Sequence, residues 1–134
     1  MTGSDPFASL MAEVMSASER FGHRQHVHVT WLAVRRYGTR AAIDLVSDGI
    51  RRTTTYAGAP QKYHSTVSRA WVVIIGHHVA AGPDLPFDAW VDRYPAVLDK
   101  RLLTRHWRSS TLATAAARSG WIEPDLIPLP DASG

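Results

Sequence analysis

The chain has 134 residues, no cysteine, five tryptophans and a formal charge of +3 at pH 7. That length is about one domain's worth and buries enough surface to fold without staples. The missing thiols exclude disulfides, thiolate metal sites, iron–sulfur clusters and cysteine nucleophiles, and arginines scattered singly or in pairs do not make the basic stripe that nucleic acid asks for.

Asp5 caps and Pro6 opens a first helix, expected to run to about Arg20 with Phe7, Leu10, Met11 and Val14 as its apolar stripe. Gly22 interrupts, and a second helix covers about His23 to Tyr37, with Gly38 just past its end. Thr39 begins a third helix reaching Tyr56, on which Ile43, Val46 and Ile50 recur at helical spacing. Gly58, Ala59 and Pro60 close it. A fourth helix spans about Tyr63 to Ala81, and its run Trp71–Ile75 reads as buried helix rather than strand because of its length and surroundings. Pro86 starts a short helix through Tyr94, and Pro95 starts another short turn or helix. Ser109 or Ser110 caps a last helix through about Arg118. From Trp121 on, prolines 124, 128 and 130 forbid regular helix. The expectation is one all-α domain over residues 1–134. It is a compact bundle of about five to seven helices with residues 121–134 extended across it.

Met1 to Met11 have neither a basic segment nor a continuous apolar stretch, so they do not read as a secretory signal. The run Trp71–Ile75 is too short to span a bilayer. A cytoplasmic protein without a membrane partner is expected, and a homo-oligomer is left open.

The histidines carry the functional reading. On a helical wheel His23, Val27, Thr30 and Val34 fall within about 40° of one direction, and His26 lies about 60° to one side. His28 goes out with the arginines. Two inward histidines one turn apart have Cβ atoms about 5–6 Å apart, so both rings can reach one cation. His64 shares a face with Val67, Trp71 and Ile75 and points inward at the start of the fourth helix. Tyr63 beside it could transfer a proton. His106 follows Leu102 and Leu103 at helical spacing and is also inward. His77 and His78 lie roughly 20 Å along the helix from His64 and cannot share its site.

Four segments together resemble a family of short, sparsely characterised bacterial all-helical proteins. They are Phe21-Gly22-His23-Arg24-Gln25-His26, Tyr63-His64-Ser65-Thr66, Leu102-Leu103-Thr104-Arg105-His106-Trp107 and Gly120-Trp121-Ile122-Glu123-Pro124-Asp125-Leu126. The resemblance implies a helical domain with His23, His26 and His64 at the recurrent histidine positions. Many relatives with that pattern carry an acid after the Tyr-His pair, where this chain has Ser65. The family supplies no activity.

The reading that follows is a metal-dependent enzyme acting on a small organic molecule, of lyase, hydrolase or oxidase type. His23, His26 and His64 would hold a divalent zinc, iron, copper or nickel ion, and an open position would take water or substrate. Tyr63 and His106 would be catalytic. Trp71, Arg105 and Trp107 would line the substrate pocket, with Arg105 on a carboxylate. Glu123 and Asp125 could fold over the site or solubilise the tail. The alternative is a helical protein-interaction or regulatory module with structural histidines. Nucleic-acid binding is disfavoured.

Overall fold

The computed structural model describes residues 5–130. Met1–Ser4 and residues 131–134, the ends of the expected domain and tail, lie outside the described residues. Among the described residues all regular structure is helical. Seven α-helices run in chain order: α1 (Pro6–Met15), α2 (His23–Tyr37), α3 (Thr39–Tyr56), α4 (Ser65–Ala81), α5 (Phe87–Arg93), α6 (Ser109–Leu112) and α7 (Ala115–Ser119). Three 3-10 segments, Pro60–Lys62, Pro95–Leu98 and Lys100–Arg105, bring the helical segments above the five to seven expected. Pro60 and Pro95 each open a short tight turn instead of extending a neighbour. Thr114 splits the last helix in two, because its hydroxyl caps a fresh start by accepting from the Ala117 N–H.

Local chemistry sets the boundaries. The Asp5 carboxylate accepts from the Phe7 and Ala8 N–H groups at 3.0 and 3.4 Å and starts α1. That helix stops at Met15, short of Arg20. The Ser16 hydroxyl turns back onto the Glu13 carbonyl at 2.8 Å, and Gln25 reaches Ser18 from α2, so polar side chains compete for the backbone there. Gln25 also accepts from the Gly22 N–H at 2.9 Å and fixes the start of α2. Gly38, at φ 85°, ends α2 and leads straight into α3, a backbone that glycine adopts without strain. α4 begins at Ser65 rather than Tyr63, because His64 sits outside the helix as its N-cap.

α4 is the central element and packs against α2, α3 and α7, while α1 lies over α2 and α3. Its run from Ala70 to Gly76 is buried throughout, which explains an apolar stretch with no polar face. Two glycines permit the closest approaches. A Cβ on Gly76 would collide with the Thr39 side chain, and one on Gly49 with the Phe7 ring. No described helix is long and apolar enough to cross a membrane.

Residues 121–130 carry no helix. They are tied down by hydrogen bonds: Leu126 N–H to the His106 carbonyl at 2.9 Å, Ile127 N–H to the Arg105 carbonyl at 3.4 Å, and Ile122 N–H to the Thr66 hydroxyl at 3.2 Å. Trp121 and Leu129 pack against the core.

Candidate functional site

A cavity of about 590 Å³ opens between the start of α2, the first half of α4 and the 3-10 segment Lys100–Arg105. That is within the size range of small-molecule sites. Trp71, Leu103, Val67, Ile50 and Leu112 give it apolar walls; His23, His26, Tyr63 and His64 add polar atoms. Trp71 is buried and tilts against the His23 ring, with centroids 4.9 Å apart. The His23 and His26 rings meet edge to face at 6.1 Å. The wheel thus gave the right side of α2 for both. His28, assigned outward, is half-buried and lies flat against Phe87 at 4.0 Å, because α5 covers that part of α2.

The imidazoles differ in what their nitrogens touch. His23 Nε2 donates to the Val97 carbonyl at 2.9 Å, which leaves Nδ1 as its basic nitrogen. Burial holds the pKa of His23 below the ordinary histidine range, with Lys100 adding to the effect. His26 is the more extreme case. Its Nε2 is buried with no hydrogen-bond partner among the described residues, and burial, with His23 and Lys100 nearby, pushes its pKa down to about 4. Both rings are therefore neutral near pH 7.

His64 has a different task. Its Nδ1 accepts from the Val67 N–H at 3.2 Å, and its Nε2 donates to the Leu112 carbonyl at 2.7 Å. One neutral tautomer satisfies both bonds, so the ring caps α4 and ties α6 to it, with no lone pair left over. As arranged, the three rings do not fit a divalent ion, which needs a free nitrogen from each. Among the described residues no three His, Asp or Glu side chains form a group able to hold a metal.

No family model matches the chain, and no curated protein or solved structure is significantly similar to it. The site therefore rests on its geometry.

Three expected site residues lie outside the cavity lining. Trp107 is fully buried, donates from Nε1 to the Ile122 carbonyl at 3.0 Å and meets Trp121 edge to face at 5.6 Å. His106 donates from Nδ1 to the Ile127 carbonyl at 2.7 Å. The Arg105 side chain is exposed beside Asp99 and Arg101, on the surface of the 3-10 segment. Of the tail acids, Asp125 accepts from the Arg108 N–H at 3.0 Å and the Thr111 hydroxyl at 2.6 Å, at the start of α6. Glu123 accepts from the Trp121 indole at 2.6 Å. Thr66 donates to the Gly120 carbonyl at 2.8 Å. The segments 63–66, 102–107 and 120–126 thus interlock as a clasp that fastens the C-terminal part onto α4, and residues 21–26 form the cavity wall.

Tyr63 and Trp71, by contrast, line the cavity. Sequence reasoning missed its charged rim: Arg20 after α1, Lys62 at the end of a 3-10 segment and Lys100 at the start of another. A signal was present. The chain has thirteen arginines but two lysines, and both lysines are here.

Proposed function

We propose that the cavity binds a small organic molecule against the His23–His26 pair, and that this pair and Tyr63 are the groups able to exchange a proton with it. The observation that carries the reading is an apolar, ligand-sized cavity with both His23 and His26 in its wall, the His26 Nε2 being buried and, among the described residues, without a partner. An unpaired buried polar atom costs about 1–3 kcal/mol, so its retention at a cavity argues for a use there. His23 is suited to be the base, since its Nε2–H is committed to Val97 and its Nδ1 is free to accept. Tyr63, which lines the same cavity, carries a hydroxyl.

The test is a titration of the full chain with 3-phenylpropanol, a neutral aromatic probe, followed through the imidazole and indole nitrogens by NMR. Shifts confined to His23, His26 and Trp71 support the reading. Shifts elsewhere overturn it, and so does the absence of shifts at millimolar concentration both with this probe and with a carboxylate, phosphate or amine on the same phenylpropyl body. Elemental analysis of untagged protein supplied with zinc, iron, copper and nickel runs beside it. A stoichiometric metal lost in both His23→Ala and His64→Ala would favour a three-histidine metal enzyme instead, with His64 released from Val67 and Leu112.

A further inference from the structure

The lining of the cavity is one-sided in charge. Arg20, Lys62 and Lys100 come from three separate segments, and among the described residues no aspartate or glutamate lines the cavity with them. Of the other twelve arginines, seven pair with carboxylates: Arg24, Arg35, Arg36, Arg51, Arg52, Arg101 and Arg108. Arg69 stacks on Trp121, Arg93 bonds the Tyr94 hydroxyl, Arg118 bonds the Gln61 carbonyl, and Arg40 and Arg105 make no ion pair among the described residues. Arg20, Lys62 and Lys100 make no ion pair among the described residues, although Asp99 adjoins Lys100 in sequence. That carboxylate is taken by Arg101, at 3.1 and 3.2 Å.

The charges sit at the mouth and the apolar surface lies behind them. All three cationic residues are exposed, whereas Trp71, Leu103 and Ser68 are buried. A ligand that fits this gradient has an apolar body for the Trp71–Leu103 side and an anionic head for the rim. Lysine is the apt residue for such a rim: its ammonium is a compact charge on a flexible stem that can follow a headgroup. A cationic ligand would meet three like charges with no carboxylate to receive it.

From the unpaired cations around an apolar cavity we infer that the ligand is an amphipathic organic anion, a carboxylate or a phosphate monoester, held by Lys62, Lys100 and Arg20. The inference rests on the small-molecule reading above and names its ligand class.

Four probes with one body and different heads separate the two claims: 3-phenylpropionate, 3-phenylpropyl phosphate, 3-phenylpropanol and 3-phenylpropylamine, titrated calorimetrically into the full chain. At least one anion is expected to bind about tenfold or more tightly than the alcohol and the amine, and to lose that advantage as salt is raised. The tighter of the two anions assigns the headgroup. Lys62→Gln with Lys100→Gln should remove most of the anion's advantage and leave the alcohol within about twofold. Lys62→Arg with Lys100→Arg, which keeps the charge, should retain it. Equal binding of alcohol and anions, or preference for the amine, overturns the inference and leaves the small-molecule reading standing. No binding by any of the four overturns both.

Discussion

At the residue scale, the histidines divide by what their nitrogens already do. His64 spends one nitrogen on the Val67 amide and the other on the Leu112 carbonyl. Removing both in His64→Ala should destabilise the fold by about 1–3 kcal/mol, read from urea denaturation. His64→Asn, which can still cap α4, should recover part of the loss. A variant as stable as the parent would show that neither bond matters. His26 makes a pH prediction. Its pKa is about 4 in the folded protein against 6.5 for an unperturbed histidine. Above pH 6.5 neither state holds the proton and the group leaves stability unchanged. As pH falls toward 4 the unfolded chain takes up a proton that the folded chain resists, so stability drops, by up to about 3 kcal/mol. The resistance comes from burial, with His23 and Lys100 facing the ring. His26→Phe should flatten the stability profile between pH 6.5 and 4, and an unchanged profile would place the acid sensitivity elsewhere.

At the scale of elements, the helices were largely legible because their signals are local. Asp5 with Pro6, Gly38 and the apolar spacing along α3 mark boundaries that hold. The misses came from side chains acting across sequence distance. α1 is short because Ser16 and Ser18 are drawn into local and inter-helix bonds. His64 was read on a face of the fourth helix, but it stands before that helix as its N-cap and its partner Leu112 is 48 residues away, so a cap looked like a ligand. Arg105 and His106 fall on a tight 3-10 turn, where α-helical spacing no longer predicts direction. The glycine contacts give a further test. Gly49→Ala should press a methyl into the Phe7 ring and destabilise by about 1–3 kcal/mol, even though alanine is the better helix former. In a double-mutant cycle with Phe7→Leu, much of that loss should disappear. Strict additivity would show that the α1–α3 approach is looser than described.

For the whole molecule, the clasp and the cavity are one construction. Thr66, Trp107, Asp125 and the 121–130 segment hold α6 and α7 against α4, and Leu112 and Leu103 then close one side of the cavity. Trp107→Ala should therefore cost about 3–5 kcal/mol in thermal or urea unfolding and weaken probe binding, although Trp107 does not line the cavity. Loss of stability with unchanged binding would uncouple the two. The central claim is that His23 and His26 face a ligand while His64 is committed to the fold. Long-range nitrogen–proton NMR of the imidazoles, recorded before and after 3-phenylpropionate, tests it most directly. The expected spectrum shows His64 as the neutral Nε2–H tautomer, unmoved by the probe, with the His23 and His26 nitrogens shifting. A His64 ring in the other tautomer, or one that shifts together with His23 and His26, would contradict the account.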